Sequence, residues 1–217
     1  MLIGKLAQVK KVPDDIFEWL NRYTDVSCET FDRLVSYHDL LLKWQNKINL
    51  IGPDTVSDSW KRHFLDSIQL QSQIKNDDEI IVDIGTGAGF PGMVLAVSGY
   101  KNTHLIESDS RKISFLKEVA RITKTNVSIH HDRVEKISID NVSVVVSRAC
   151  ASLDKLFSYS INFVSHETIC LFHKGKNYSK DIDEAKLNWD FDTVILPSVT
   201  DTEGVILKVT HLRKRRV

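Results

Sequence analysis

A carboxylate and three closely spaced glycines follow a short apolar run in the middle of the chain. The run 80–84 carries Asp83, and Gly85, Gly87 and Gly89 come directly after it. Glycine is required where a backbone adopts positive φ or approaches a ligand more closely than a Cβ allows. A helix that begins just after such a turn offers free N–H groups. These residue types in this order predict a strand–turn–helix unit that binds a nucleotide-like cofactor.

The glycine spacing separates two classes of cofactor. Dinucleotide sites carry G-x-G-x-x-G, whereas Phe90 holds the last glycine position here and the spacing is G-x-G-x-G, which favours S-adenosylmethionine over NAD. Glu107 ends the next apolar run, twenty residues after Gly87, where a carboxylate can accept from two ribose hydroxyls. Considered alone, the glycine turn is equally consistent with a tight loop that binds no cofactor, and Glu107 alone is equally consistent with a solvated side chain. A nicotinamide oxidoreductase is the rival interpretation, but it predicts glycine at position 90.

Composition restricts the class of protein. The 217 residues carry no formal net charge, so the chain lacks the positive field of a protein that coats nucleic acid indiscriminately, and any RNA partner must meet a local patch. Cys28, Cys150 and Cys170 form no C-x-x-C pair and are predicted to be reduced, buried thiols. Apolar runs are shorter than the roughly 18 residues that span a bilayer. We expect a cytoplasmic monomer that binds neither metal nor membrane.

Helical periodicity dominates the first third of the chain. Pro-Asp-Asp at 13–15 predicts a helix start, and apolar residues at 31–48 form a second amphipathic stripe. Ser-Asp-Ser at 57–59 is expected to cap a third helix that includes 64–70. Residues 1–76 are therefore predicted to be an all-helical N-terminal extension.

Short β-branched runs alternate with helical segments over residues 77–217, which we expect to form a methyltransferase domain. The runs are 80–84, 103–106, 127–130, 142–147, 168–172, 193–196 and 205–209. Such alternation predicts a mostly parallel sheet with helices on both faces. The loop 197–204 is too short for a helical crossover, so the last two strands should pair antiparallel at one edge. The expected fold is α/β and Rossmann-like, a seven-stranded class I S-adenosylmethionine-dependent methyltransferase.

Seven short motifs lie along most of the chain in one order. They are Trp44 with Asn49-Leu50, Arg62-His63-x-Leu65-Asp66-Ser67, the block 82–92, Glu107-Ser108 with Phe115-Leu116, Arg133-Val134-Glu135, Ser147-Arg148-Ala149 and Lys174-Gly175. With them the sequence resembles the bacterial small-subunit ribosomal RNA guanine-N7 methyltransferases, also called the glucose-inhibited division protein B family. Gln45, Ile51, Ser143 and Thr202 depart from the family pattern. The resemblance implies methyl transfer from S-adenosylmethionine to N7 of a guanine in 16S ribosomal RNA, free or within the small subunit.

The resemblance also implies which residues contact the cofactor. They are Gly85, Phe90, Val134, Glu135 and Arg148, all in loops at the carboxyl ends of strands; Asp83, Gly87, Gly89 and Glu107 are added from the glycine turn and the second strand. Asp83 either approaches the ammonium of the methionine end or fixes the glycine turn. Arg148 ends an apolar strand, where it pairs with the cofactor carboxylate, with an RNA phosphate, or with a structural counter-ion.

A second group of residues is expected at the RNA. Arg62 and His63 precede Asp66 by one helical turn, so the three can share a face over the pocket mouth; alternatively, His63 is satisfied by Asp66 within the helix. Lys174 and Lys176 either grip RNA phosphate or are solvated loop lysines. The basic C-terminal residues 208–216 offer the same pair of alternatives.

The expected chemistry needs no catalytic base. Guanine N7 carries an exposed lone pair, so catalysis should consist of positioning and desolvation, with Arg148, His63 and Asp66 as the candidate catalytic residues. Asp66 is a candidate to stabilise positive charge that develops on N7. The alternative function is a non-catalytic RNA-binding module that retains the methyltransferase fold.

Overall fold

The computed structural model describes residues 16–148 and 151–216, and the statements below concern those residues. The predicted helix start at 13–15, Ala149 and Cys150 lie outside them. The helices are α1 (Ile16–Asn21), α2 (Cys28–Gln45), α3 (Asp66–Ile68), α4 (Gly92–Val97), α5 (Ser110–Thr123), α6 (Leu153–Ser160) and α7 (Tyr178–Ala185). The strands are β1 (Ile80–Ile84), β2 (Asn102–Glu107), β3 (Ser128–His131), β4 (Val144–Ser147), β5 (Ile169–Lys174), β6 (Trp189–Pro197) and β7 (Val205–Lys214).

One seven-stranded sheet organises the chain. Its order is β3-β2-β1-β4-β5-β7-β6, with parallel pairing from β3 to β5 and antiparallel pairing of β7 with both β5 and β6. The predicted α/β fold and antiparallel edge pair are confirmed, and β6 is the outer strand. Strand order reverses between β1 and β4, and an open α/β sheet places its ligand crevice at the carboxyl ends of the strands beside such a reversal.

Helix α2 covers the face of the sheet that carries α4 and α5. Ser27 caps its N-terminus by accepting a hydrogen bond from the Thr30 N–H at 3.1 Å. Leu34, Tyr37 and Leu41 are fully buried, and they belong to the same apolar cluster as α4 and α5. Burial of this helix therefore fixes the N-terminal helices directly over the glycine turn.

The predicted cap at residues 57–59 is wrong. Ser59 has helical dihedral angles, and its hydroxyl bonds His38 Nε2 at 2.9 Å instead of a helix N–H. The following segment, residues 60–73, is a π turn, then α3, then a 3₁₀ turn. Within the π turn, Trp60 stacks on His38 while His63 stacks on Phe90, so the wider turn supplies side chains to both α2 and the glycine turn.

The opposite face of the sheet is covered by α6 and α7. Phe157, Phe172 and Trp189 pack in one apolar cluster there. Cys170 is buried, and burial raises the pKa of its thiol to about 12, as expected for an inert structural cysteine. The prediction of buried thiols is wrong for Cys28, which is exposed at the start of α2. In the described ranges, no helix is both long and apolar enough to cross a membrane.

Candidate functional site

Asp83 anchors the glycine turn from beneath. It is fully buried near the end of β1, and its Oδ2 accepts hydrogen bonds from Thr86 Oγ1 at 2.5 Å and from the Gly92 N–H at 2.8 Å. Burial raises the pKa of Asp83 to about 6. Its Oδ1 is buried and has no hydrogen-bond partner among the described residues. The carboxylate thus fixes the turn with one oxygen and keeps one buried acceptor, which fits the ammonium of S-adenosylmethionine.

Gly85 in the turn and Gly92 at the start of α4 are required for different physical reasons. Gly85 has φ +66°, in the left-handed region, and a Cβ there would meet nothing within 4 Å. Gly92 is required for another reason, because a Cβ would lie 2.5 Å from Leu105 Cδ2 and 2.7 Å from Asp83 Cβ. The close packing of α4 on β1 and β2 therefore depends on Gly92.

Glu107 is held by the backbone around it. Its Oε2 accepts from the Gly87 N–H at 3.0 Å, and its Oε1 accepts from the N–H groups of Ser108 and Asp109 at 2.7 and 2.9 Å. Three N–H donors fix the orientation of the carboxylate and tie the end of β2 to the glycine turn. A carboxylate has further lone pairs, which fit the two ribose hydroxyls of a nucleoside.

A cavity of about 110 Å³ lies at the carboxyl ends of β1, β2 and β3, and we call it the β1–β3 cavity. It is lined by Ile84, Gly85, Ile106, Glu107, Ser108, Asp132, Arg133, Val134, Glu135 and Tyr159. The cavity brings together four residues expected at the cofactor. Sequence reasoning missed Tyr159, because it comes from α6 and no nearby motif marks it.

The N-terminal helices close over the glycine turn through aromatic side chains. The Tyr37 hydroxyl donates to the Ala88 carbonyl oxygen, and its ring stacks on Phe90 with centroids 5.5 Å apart. Phe90 is buried, with its ring also against His63 and Phe64. Phe90 therefore joins the turn to the helical segment.

Arg148 connects β4 to the 60–73 segment. Its guanidinium lies 4.9 Å from the centre of the Phe90 ring, and its Nη1 donates to the Arg62 carbonyl oxygen at 2.7 Å. The same nitrogen lies 3.5 Å from Asp66 Oδ2. The structural counter-ion considered for Arg148 is thus present, and it is Asp66.

Asp66 sits at the junction of three distant parts of the chain. Its Oδ1 accepts from Gln69 Nε2 at 2.8 Å and from Thr200 Oγ1 at 2.7 Å. Its Oδ2 faces Arg148 and lies 3.7 Å from His173 Nε2, while that nitrogen is 2.7 Å from the Asp66 carbonyl oxygen. Sequence reasoning missed His173 and Thr200, because they are 107 and 134 residues from Asp66.

His63 points inward, which corrects the expectation that it shares the pocket mouth with Arg62 and Asp66. Its Nε2 lies 2.8 Å from Thr55 Oγ1, and its ring stacks on Phe90. Burial, reinforced by the Arg148 charge, lowers the pKa of His63 to about 3. The imidazole is therefore neutral near pH 7, and its partner is Thr55 rather than Asp66.

A larger cavity of about 620 Å³ opens between β4, β5 and the start of β7, and we call it the β4–β7 cavity. Arg62, Asp66, Lys174 and Lys176, all expected on the RNA side, line it. Arg148, which was expected among the cofactor-binding residues, lies in the same wall. Three of its cations each pair with a carboxylate of the wall, so most of the charge is compensated within the protein; the pairs are Arg62–Asp201, Arg148–Asp66 and Lys174–Asp181.

Lys174 differs from a solvated loop lysine. Its ammonium pairs with Asp181 and donates to the Ala151 carbonyl oxygen at 2.9 Å, and only 10% of its side chain is exposed. Lys176, two residues on, is exposed. The expected grip of Lys174 on phosphate would break two internal contacts, whereas Lys176 is accessible.

The basic C-terminal residues pair with the outer strand. His211 lies 2.7 Å from Asp192, and Arg213 and Arg215 lie 3.6 and 3.2 Å from Asp190. These contacts favour a structural use of the charges. Across the described part of the chain, no cluster of three or more His, Cys, Asp or Glu side chains could hold a metal ion.

Comparison with solved structures shows the fold. A ribosomal protein L11 methylase from Lactobacillus delbrueckii subsp. bulgaricus superposes with a TM-score of 0.57 at 12% identity, covering 69% of this chain and 78% of that one. TYW2 of M. jannaschii in complex with AdoMet gives 0.55 at 16% identity, over 79% and 80% of the two chains.

Comparison with known sequences shows the family. The family model for GidB, rRNA small subunit methyltransferase G, matches residues 30–210. The ribosomal RNA small subunit methyltransferase G of Paramagnetospirillum magneticum is 47% identical over 87% of this chain and 91% of its own length. That of Rickettsia prowazekii is 41% identical over 87% and 98%. The chain therefore belongs to the GidB family of S-adenosylmethionine-dependent methyltransferases, the rRNA small subunit methyltransferase G family.

Proposed function

We propose that this protein transfers a methyl group from S-adenosylmethionine to N7 of a guanine in the 16S ribosomal RNA of the small ribosomal subunit. One observation carries the proposal: the two cavities lie at the ends of adjacent strands. The Ser147 hydroxyl donates to the Ile84 carbonyl oxygen at 2.8 Å, which holds Arg148, in the wall of the β4–β7 cavity, beside Gly85 of the β1–β3 cavity. An acceptor base in one cavity would lie next to a cofactor in the other.

The β1–β3 cavity supports the cofactor assignment. Glu107 would hold the ribose hydroxyls, Val134 would pack on the adenine, and the buried Asp83 Oδ1 would face the ammonium. Around them we propose Gly85, Gly87, Gly89, Phe90, Glu135 and Arg148 as further cofactor-binding residues. Bound there, the cofactor supplies a methyl group on a sulfonium, which is transferred in line to a nucleophile.

The β4–β7 cavity supports an RNA acceptor. Arg62 and Lys176 are accessible cations on its wall, suited to phosphate. Asp66 lines the same cavity with only 13% of its side chain exposed. A carboxylate in this partly desolvated position would stabilise the positive charge that a methylated guanine N7 acquires.

No proton transfer is needed, and the side chains agree with this. N7 of guanine reacts through a lone pair, so the protein has only to orient the base and exclude water. His63, the candidate base by residue type, is neutral but buried against Phe90 and bonded to Thr55. We assign His63 to positioning the glycine turn and Asp66 to the acceptor. Arg148, in the wall of the β4–β7 cavity and beside Gly85, is placed to contact both the acceptor and the cofactor.

The acceptor is named by the relatives rather than by the geometry alone. Their printed names describe methyltransferases of small-subunit ribosomal RNA, and identity above 40% over most of both chains supports the same substrate here. We infer further that the protein acts as a cytoplasmic monomer. A sedimentation mass of 24.8 kDa supports the monomer, and twice that mass overturns it.

The experiment is transfer of radiolabelled methyl from S-adenosylmethionine to small ribosomal subunits, and to their extracted RNA, from cells lacking this protein. Label on guanine N7 of 16S RNA is expected. Cofactor binding without label in either RNA would move the acceptor to another molecule. Neither binding nor label would favour the non-catalytic RNA-binding module.

A further inference from the structure

The loop that joins β6 to β7, residues 198–204, is docked on the 60–73 segment by polar contacts. The Val199 N–H donates to Gln69 Oε1 at 3.0 Å, and the Thr200 hydroxyl donates to Asp66 Oδ1 at 2.7 Å. Both contacts join residues at least 130 positions apart in sequence. The loop therefore forms part of the wall of the β4–β7 cavity.

The next residue of this loop, Asp201, makes an ion pair with Arg62. Arg62 Nη1 lies 2.8 Å from Asp201 Oδ2, and the two side chains are 43% and 37% exposed. A hydrogen bond from the Glu203 N–H, together with that from Arg62, lowers the pKa of Asp201, so it is a carboxylate at neutral pH. Ion pairs with this degree of exposure are weak and exchange partners easily.

Arg62 is the paired cation of the cavity that is free to change partner. The side chains of Arg148 and Lys174 are only 20% and 10% exposed, and they pair with Asp66 and Asp181. The Arg62 backbone, in contrast, is fixed by the hydrogen bond from Arg148 while its guanidinium faces solvent. A planar guanidinium in this setting can donate the same pair of hydrogen bonds to a phosphate as to a carboxylate.

We propose that Asp201 occupies the position of an RNA phosphate on Arg62 in the RNA-free protein, and that a phosphate of the acceptor RNA replaces it on binding. This inference rests on the proposed function, since it assumes that RNA enters the β4–β7 cavity. Asp201 then has two consequences: it keeps Arg62 ordered at the cavity mouth, and it lowers the affinity for RNA by the cost of breaking the pair.

The test measures the affinity of unmethylated small ribosomal subunits for Asp201→Asn in the presence of S-adenosylhomocysteine. Asparagine keeps an oxygen for the Glu203 N–H, so the loop turn is retained. We expect about two- to five-fold tighter binding than wild type, the range of an exposed ion pair. Glu203→Gln is the matched control, because it removes the same charge from an exposed residue of the same loop.

An Arg62→Gln background makes the test specific. Arg62→Gln alone should weaken binding, and adding Asp201→Asn to it should have no further effect. The inference is overturned if Asp201→Asn and Glu203→Gln tighten subunit binding equally, or if Asp201→Asn leaves the affinity unchanged. The proposed function stands in either case as long as the wild type transfers methyl groups. Absence of both subunit binding and methyl transfer in the wild type would overturn the two together.

Discussion

The β1–β3 cavity and the β4–β7 cavity are built in different ways. The β1–β3 cavity is held by backbone N–H groups that donate to Asp83 and Glu107. All its lining residues except Tyr159 come from the ends of three successive strands or from the loops after them. The β4–β7 cavity is held by side chains that pair across more than 100 residues of sequence, as Asp66 does with Thr200 and Arg62 with Asp201. One is formed within the sheet, and the other is assembled from the helical segment and the β6–β7 loop.

The difference follows from what each cavity has to hold. A small cofactor must bind in the same orientation in every catalytic cycle, which favours fixed N–H donors and buried carboxylates. An RNA phosphate is met by exposed side chains whose internal ion pairs can exchange, at little cost because exposed pairs are weak. Changes in the first region should therefore affect cofactor binding strongly, and changes in the second should affect it little.

The largest expected effect is that of Gly85→Asp. The backbone there is left-handed, a conformation that aspartate tolerates, and the added side chain meets open space, so folding should persist. The new carboxylate would occupy the β1–β3 cavity beside Glu107, and we expect no measurable binding of S-adenosylhomocysteine by calorimetry. Gly175→Asp is the control, since it places the same side chain in open space on the β4–β7 cavity and should leave S-adenosylhomocysteine binding intact. Equal losses of S-adenosylhomocysteine affinity in the two variants would contradict the difference between the cavities.

Gly92→Ala should destabilise the protein itself. Its Cβ would lie 2.5 Å from Leu105 Cδ2 and 2.7 Å from Asp83 Oδ2, so α4 must shift and the N–H bond to Asp83 must lengthen. We expect a loss of about 3 kcal/mol in the free energy of unfolding, measured with urea. Gly52→Ala, where a Cβ makes ordinary contacts, is the control and should change it by less than about 1 kcal/mol.

Asp83→Asn separates stability from cofactor binding. Burial raises the Asp83 pKa from 3.8 to about 6, so between these pH values the native state binds a proton that the unfolded state has lost. The free energy of unfolding should fall as pH rises through this window, by about 2–3 kcal/mol from this residue. Cofactor-free Asp83→Asn should lack that term and be more stable than wild type at pH 8.

The matching measurement is the difference in urea stability between the two proteins at pH 4 and at pH 8. A difference that does not change with pH would contradict the account of the buried carboxylate. The same variant should bind S-adenosylhomocysteine more weakly than wild type, because the amide carries no negative charge to attract the ammonium of the cofactor.

Thr200→Val should have the smallest effect. It removes one donor from Asp66 Oδ1 at nearly constant volume, and Gln69 still bonds that oxygen. We expect a loss of about 1 kcal/mol of stability with unchanged cofactor affinity. Thr202→Val, on an exposed residue of the same loop, should be neutral; equal effects of the two changes would show that the bond to Asp66 is immaterial.

The two cavities differ in how well they can be predicted from the sequence, because they are built differently. Gly85, Glu107, Val134 and Glu135 line the β1–β3 cavity as expected, because the ends of parallel strands meet at one sheet edge and short motifs mark them. The mostly parallel sheet and its antiparallel edge pair were also predictable, from the alternation of runs with helical segments and from a short loop, whereas the order of the strands was not predicted.

The β4–β7 cavity was only partly predictable. Arg62 and Asp66 were expected in it, whereas Arg148 was expected at the cofactor. Thr200 and Asp201 reach Asp66 and Arg62 by tertiary docking of a loop, which has no local sequence signal. The inward turn of His63 depends on the π turn, and helical periodicity assumes a regular helix. A single sequence does not indicate which distant polar side chains pair with each other.

The most direct test of the central claim uses the double variant Arg62→Gln/Thr200→Val, which breaks the contacts that Asp201 and Thr200 of the β6–β7 loop make with Arg62 and Asp66. Its affinity for S-adenosylhomocysteine and its rate of methyl transfer to small ribosomal subunits are measured side by side. We expect the cofactor affinity to stay within about two-fold of wild type. The transfer rate at limiting RNA should be at least about ten-fold lower, since roughly 1.4 kcal/mol of acceptor binding is removed. A parallel loss of cofactor affinity, or undiminished transfer, would contradict two separately built cavities.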